Sequence, residues 1–252
     1  MSDQDLPRVL ELLWGREQPR RGPKPAHTIH DIAAAAVRIA DSVGLPGVSM
    51  NAVANRIGLT TMGLYRYVDS KEELIVATVD AAYGLPPAER ATGGWRTQLQ
   101  HWASANRAAL RAHPWIVQVP VTGPPLAPNQ LHWMDRGLCA FATTPLSEQQ
   151  KLSSLLLVDM YVRGQVLLSS HLDDAGEPGP LNDREASLRY VQRLAQVVDE
   201  ADFPGVRAAL VSGSLQDENN FADDEFSFGL ETVLDGIAAR VRRQARTRPA
   251  RR

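Results

Sequence analysis

The sequence predicts an all-α protein, with a three-helix helix-turn-helix domain at the N-terminus and a larger helical domain after it. Apolar residues recur every three or four positions along most of the chain, which is the period of an amphipathic helix. No stretch alternates convincingly between apolar and polar residues, as a half-buried strand does. Between residues 28 and 84, glycines separate short apolar segments, so this part predicts tightly connected helices.

Length and composition indicate a globular protein with a sizeable core. The chain has 252 residues, of which 44% are hydrophobic. No window approaches the roughly 18 uninterrupted apolar residues of a membrane span, and the acidic first residues do not resemble a secretory signal. We therefore expect a cytoplasmic protein. The single cysteine, Cys139, excludes an internal disulfide and a multi-cysteine zinc site, and we expect it to be buried and inert.

The charges are distributed unevenly along the chain. Residues 15–71 contain eight Lys or Arg against four acids, whereas residues 84–239 contain 11 basic and 19 acidic residues. Residues 240–252 hold seven arginines and no acid. This pattern favours an anionic partner, such as nucleic acid, at the ends of the chain, although the scatter of an average surface is an alternative.

Four segments and a linker follow from local composition. Residues 1–27 are predicted to be a flexible basic arm, with a possible short helix at 7–14, since 16–27 are rich in Pro and charge. Residues 28–83 form the helix-turn-helix domain, and 84–94 are a linker. Residues 95–243 form the larger helical domain. Residues 244–252 are an Arg-rich tail. Contact of the arm or the tail with DNA is left open, against a solvated segment in each case.

The helix-turn-helix domain begins at a capping signal. Thr28 followed by Asp31 resembles a capping box, and apolar residues then line one face of a helix that ends at Gly44. Ser49 caps a second helix, which Gly58 ends. A short third helix starts at Thr60 or Thr61, and Ser70 with Glu73 caps the helix behind it.

The short helix "TTMGLYRYV" (residues 60–68) has a buried side and an exposed side. Leu64 and Val68 are four residues apart and face the core, which leaves Thr61, Met62, Tyr65 and Arg66 outward. In a helix-turn-helix, the second helix enters the major groove and its side chains reach bases and phosphates. The candidate DNA-binding residues are Ser49, Thr60, Thr61, Met62, Tyr65, Arg66, Tyr67 and Lys71. Packing in the small core is the alternative for both tyrosines.

Residues 28–75 resemble the TetR family of bacterial repressors. The resemblance is carried by the small-residue first helix, the glycine turns and "LYRYVDSKEEL", which is similar to the family's aromatic-rich ending. Downstream, "WRTQLQHWASANRAALRAHPW" and "GPPLAPNQLHWMD" are similar to the tetracycline-repressor type of C-terminal domain. The loop in which tetracycline repressors place a magnesium-binding histidine corresponds here to residues 119–121, Val-Pro-Val, so we predict no metal.

The resemblance implies a homodimer on a palindromic operator, released from DNA when a small-molecule effector binds the C-terminal domain. Helices near 147–171 and 223–243 are expected to pair with their copies. Their apolar residues form either that seam or the core of the monomer: Leu155, Leu156, Met160, Phe226, Leu230, Leu234 and Ile237.

Polar and aromatic side chains on apolar faces are the candidates for effector contact. They are Trp102, Asn106, Trp133, Met160, Arg163 and Gln165, with core packing or exposure as the alternative. No cofactor is predicted, and no nucleophile, metalloprotease or nucleotide-binding motif indicates an enzyme. The alternative function is a DNA-binding regulator whose helical body serves protein contacts without an effector.

Overall fold

The protein, a computed structural model, consists of helices joined by turns. The structure describes residues 6–16, 27–89, 91–174, 184–216 and 221–247, and within them every regular element is helical, which confirms the all-α prediction. The first five α-helices are α1 (Arg8–Leu13), α2 (Ile29–Val43), α3 (Met50–Arg56), α4 (Thr61–Leu64) and α5 (Lys71–Tyr83). The others are α6 (Trp95–Ala112), α7 (Pro128–Ala140), α8 (Glu148–Asp174), α9 (Arg184–Val197), α10 (Pro204–Ser212) and α11 (Phe221–Thr247).

Helices α2 to α5 form one unit, called here the reading domain (residues 28–83). The Thr28 hydroxyl accepts a hydrogen bond from the Asp31 N–H, and Asp31 accepts one from the Thr28 N–H, so the predicted capping box is confirmed. Gly58 has φ of 71°, a left-handed conformation that favours glycine, and it reverses the chain between α3 and α4. Helix α2 packs along α5, with its alanines fully buried where the two helices approach.

The N-terminal segment contains a packed helix. Val9, Leu10 and Leu13 of α1 are buried against α2 and α5, and the Trp14 Nε1–H donates to the Leu126 carbonyl at 2.9 Å. The predicted short helix is therefore confirmed. The prediction of a flexible arm over residues 1–27 is wrong for the residues of α1, because this helix buries enough apolar surface to be held by α2 and α5. Residues 17–26, the basic part of the predicted arm, lie outside the described residues.

Helices α6 to α11 form the larger unit, called here the body (residues 95–247). Helix α8 packs between α6 and α11, and the Tyr161 hydroxyl donates to the carbonyl of Phe226 at 3.0 Å. Residues 148–170 of α8 meet the length and composition of a membrane span, but the same helix supplies buried side chains to the core. Helix α11 continues through residues 244–247 of the predicted tail, and residues 248–252 lie outside the described part.

The predicted dimer seam is largely the core of the single chain. Leu155, Phe226, Leu230, Leu234 and Ile237 are all buried within the monomer, so they are unavailable to a second copy. Two members of the predicted seam, Leu156 and Met160, are exposed, as are three further apolar side chains on α8 and α11: Leu157, Leu168 and Phe228. Amphipathic spacing identified both helices as apolar but did not tell which side faces inward. Cys139 is also exposed, which corrects its predicted burial.

Candidate nucleic-acid interface and ligand cavity

Helix α4 presents a short exposed face at the edge of the reading domain. Leu64 and Val68 are fully buried, as predicted, and they hold the helix on the core. On the other side, Met62 is 76% exposed and Tyr65 is 43% exposed, and Arg66 is also exposed. The Thr61 hydroxyl, at 3.4 Å from Asn51 Oδ1, links this face to α3. An exposed methionine, aromatic ring and guanidinium on one turn have the chemistry to contact base edges and phosphates.

Side-chain caps fix the N-termini of the three short helices around this face. The Ser49 hydroxyl accepts from the Ala52 N–H at 3.2 Å, and the Thr60 hydroxyl accepts from the Gly63 N–H at 3.0 Å. The Ser70 hydroxyl accepts from the Glu73 N–H at 3.1 Å, and Lys71 beside it is exposed. Helix N-termini carry a partial positive charge and free N–H groups, so α3 and α5 offer favourable positions for phosphate.

Tyr67 differs from the other predicted contacts. Its ring is half-buried against the core, and its hydroxyl donates to the His27 carbonyl at 3.0 Å. That proton is therefore engaged within the protein and is not free for a phosphate. Sequence spacing did not reveal this bond, because its acceptor lies 40 residues earlier in the chain.

A large cavity lies between the reading domain and the body. It has a volume of about 830 Å³, within the usual range for small-molecule sites. Helix α5 forms one wall, α6, α7 and α8 form others, and Leu10 of α1 and the loop at residues 119–126 complete the lining. Five of the six predicted ligand residues line it: Trp102, Asn106, Trp133, Met160 and Arg163. Gln165 lies on α8 but is not among the lining residues.

The cavity contains a chain of hydrogen-bonded side chains, called here the polar network (Tyr83, Asn106, Asp159 and Arg163). The Asn106 Nδ2–H donates to Asp159 Oδ1 at 2.9 Å, and the Arg163 Nε–H donates to Asp159 Oδ2 at 3.0 Å. The Arg163 guanidinium also donates to the Tyr83 hydroxyl at 2.7 Å. Burial raises the pKa of Tyr83 well above its usual range, so its hydroxyl stays protonated.

Two tryptophans give the cavity apolar walls. The Trp102 Nε1–H donates to the Trp133 carbonyl at 2.9 Å, and the Trp133 Nε1–H donates to the Gly84 carbonyl at 3.0 Å. Because both indole N–H groups are bonded to the backbone, their rings offer mainly aromatic surface to a ligand. Tyr83 was missed as a cavity residue by sequence reasoning, since its position at the end of α5 resembles an ordinary helix terminus.

Besides the bond between Tyr83 and Arg163, two aspartates join the reading domain to the cavity walls. Asp41, at the end of α2, accepts hydrogen bonds from the His113 ring at 2.7 Å and from the Trp115 Nε1–H at 2.8 Å. Asp80 of α5 accepts one from the Gln130 backbone N–H of α7 at 3.1 Å. Within the described residues, no group of three or more His, Cys, Asp or Glu is placed to hold a metal ion.

Comparison with known proteins agrees with this arrangement of a reading domain and a body. Residues 32–78 match the family model described as "Bacterial regulatory proteins, tetR family", and residues 86–241 match "Tetracyclin repressor-like, C-terminal domain". The chain is 36% identical over 242 residues to the HTH-type transcriptional repressor DrrR1 of Streptomyces coeruleorubidus, covering 94% of this chain and 87% of the relative. The chain belongs to the TetR family.

Other relatives extend the same comparison. This TetR-family chain is 27% identical over 213 residues to the class A tetracycline repressor of Escherichia coli, covering 82% of this chain and 88% of that one. Its fold is that of ActR from Streptomyces coelicolor in complex with actinorhodin, with a TM-score of 0.71 at 22% identity, covering 86% of this chain and 99% of ActR. Proteins of this family are transcriptional regulators, and they are not known as enzymes.

Proposed function

We propose that this TetR-family protein is a cytoplasmic transcriptional repressor that binds an operator as a homodimer and releases it when a small-molecule effector fills the cavity. The observation that carries the proposal is the position of α5. This helix begins at Lys71, directly after the exposed turn that follows α4, and ends at Tyr83 in the cavity wall. A ligand that shifts α5 thereby moves the DNA-reading face. The TetR-family protein ActR, which has the same fold and is known in complex with actinorhodin, supports this function.

On the DNA side, the exposed face of α4 is assigned to the major groove. Thr61, Met62 and Arg66 read base edges, and Tyr65 and Lys71 bind phosphates. Ser49 and Thr60 act mainly as caps that leave helix N-termini facing the backbone of the DNA. Tyr67 supports the face from behind through its bond to His27 rather than by donating to phosphate.

The dimer is assigned to the exposed apolar side of α8 and α11. Leu157 and Leu168 lie eleven residues apart, about three turns, on the same face of α8, and Phe228 is exposed on α11. Pairing with a second copy removes this surface from water. We expect Leu157→Glu to shift the protein from dimer to monomer in sedimentation, whereas Val211→Glu, at an exposed apolar position on α10, leaves the dimer intact. A monomeric wild type contradicts this assignment.

The ligand response follows from the two joints between the domains. Ile116 and Gln130 line the cavity. Ile116 follows Trp115, which donates to Asp41, and the N–H of Gln130 itself donates to Asp80. A ligand that displaces these walls changes the separation of the two reading faces in the dimer. The cavity favours a ligand response over the alternative function, in which the body serves only contacts with other proteins.

The test of DNA binding is a gel-shift assay with the upstream region of the protein's own gene. We expect Tyr65→Ala and Lys71→Ala to weaken binding about ten-fold each, since each removes a phosphate contact of the order of 1 kcal/mol. Matched controls are Tyr190→Ala, an exposed tyrosine on α9, and Lys151→Ala, a lysine on α8. Equal binding by all five proteins, or no binding by wild type, contradicts the proposal.

A further inference from the structure

The polar network leaves one hydrogen-bond acceptor and one donor unused. Asn106 is only 1% exposed, and although its Nδ2–H donates to Asp159, its Oδ1 has no hydrogen-bond partner among the described residues. A buried acceptor without a partner is destabilising, so a donor that reaches it is strongly favoured. Among the described residues, the Tyr83 hydroxyl accepts from Arg163 and its own proton is not used.

The charges of the network cancel each other. Asp159 and Arg163 lie side by side on α8, with the Arg163 Nε at 3.0 Å from the carboxylate. Arg163 is therefore already paired, and a ligand carboxylate would compete with Asp159 for it inside a buried site. A ligand with no net charge avoids that competition and the cost of leaving water as an ion.

The rest of the cavity surface suits rings. Trp102 and Trp133 contact each other edge to face, with ring centroids 6.2 Å apart, and Tyr83 lies 6.3 Å from Trp133. Their faces, together with the side chains of Val79, Met134 and other apolar residues, leave a large space with few polar groups. Flat ring systems pack well against such walls.

We propose that the effector is an uncharged, ring-rich molecule with a hydroxyl group that donates to Asn106 Oδ1, and that an oxygen of the same molecule accepts from the Tyr83 hydroxyl. A hydroxyl is the smallest group that supplies the donor Asn106 lacks. Asn106 is thus the residue that selects for the hydroxyl. Tyr83 donates a hydrogen bond to a ligand oxygen, whether that oxygen belongs to a hydroxyl or to an ether. This inference rests on the proposed function, since it names the chemistry of the same effector.

The test uses three matched tricyclic probes: 9-phenanthrol, its methyl ether 9-methoxyphenanthrene, and phenanthrene-9-carboxylate. Equilibrium dialysis against the full chain measures each dissociation constant. We expect 9-phenanthrol to bind about ten-fold more tightly than the ether, because only the phenol donates to Asn106, and the carboxylate to bind most weakly. Equal binding of phenol and ether, tightest binding of the carboxylate, or no binding of any probe overturns the proposal.

Two variants distinguish the roles of the network residues. Asn106→Leu removes the acceptor, so the ten-fold preference for the phenol should fall to about one-fold. Tyr83→Phe removes a donor that phenol and ether share, so both should weaken while their ratio persists. If Asn106→Leu fails to fold by circular dichroism, Asn106→Ala serves the same comparison. A preference that survives the loss of Asn106 overturns the assignment.

A gel shift without probes keeps this result separate from the proposed function. Wild type and Tyr190→Ala, which changes neither the exposed face of α4 nor the cavity, should both bind the upstream DNA. Loss of DNA binding in every protein, with the dialysis ratios unchanged, would count against the repressor and not against the effector chemistry. Normal DNA binding with equal dialysis constants for phenol and ether would count against the effector chemistry alone.

Discussion

The part of the reading domain that ends with α4 (residues 28–68) and the rest of the described chain differ in what they bury. Between residues 28 and 68, the buried side chains of the described structure are aliphatic, such as Ile32, Val53 and Leu64. The buried polar side chains all occur from residue 78 onward: Thr78, Asp80, Asn106, Ser154 and Ser170. A well-packed aliphatic core has one arrangement, whereas a region that contains a cavity and buried polar groups can accept a ligand and shift. From this contrast we expect the DNA-reading part to be rigid. We expect the part that joins α5 to the body to be able to shift.

The largest expected effect tests the rigid core. Leu64→Ala should lower the free energy of unfolding by about 2–5 kcal/mol, since Leu64 is fully buried and its removal leaves a cavity. The matched change Leu126→Ala, at an exposed position in the wall of the ligand cavity, should cost less than about 1 kcal/mol. Urea denaturation of both variants measures the difference. Similar losses at the two sites would remove the contrast between the domains.

A smaller effect tests the packing behind the cavity. An added Cβ at Gly137 of α7 would lie within 3.2 Å of Trp102 Cε2 and closer to Leu155. We expect Gly137→Ala to destabilise the protein by about 1–3 kcal/mol through overcrowding of these two cavity residues. Gly205→Ala in α10, where an added Cβ meets nothing within 4 Å, should instead be neutral or stabilising. Thermal unfolding measures the melting temperatures of the two variants. Equal melting temperatures would show that α7 moves easily to make room for the added methyl group.

The sequence predicted the reading domain more completely than the body because its signals are local. The caps at Thr28, Ser49 and Ser70 each bond to a residue three positions ahead, so spacing alone identifies them. By contrast, Tyr83 and Arg163 are 80 residues apart, and only tertiary packing brings them together. The buried sides of α8 and α11 could not be predicted for a related reason. Amphipathic spacing indicates that a helix has an apolar side, but not whether that side meets its own chain or a second copy.

The smallest effect concerns the joint itself, where Asp80 of α5 is buried against α7. Burial raises the pKa of the Asp80 carboxyl, although hydrogen bonds from Gln130 and Asn129 act in the opposite direction. The folded state therefore holds this proton to a higher pH than the unfolded chain, whose aspartates titrate near about 3.9. Stability contributed at this position is greatest below that pH and falls as pH rises through the raised pKa of the folded state.

Asp80→Asn removes this titration while keeping an acceptor for the Gln130 N–H. We expect the free energy of unfolding of the variant, relative to wild type, to increase as the pH is raised from about 4 to 7. Asp31 provides a control of opposite sign, because hydrogen bonds from Thr28 lower its pKa, so its contribution is present above the unfolded pKa and lost as pH falls. Urea denaturation from about pH 2 to 7 covers both windows, since the Asp31 contribution is lost below about pH 4 and that of Asp80 above it. The stability of Asp80→Asn relative to wild type could instead stay constant or fall as the pH rises. That result would mean that the charge of Asp80 is buried without cost. It would also mean that α5 is held as rigidly at the cavity as it is beneath the DNA-reading face.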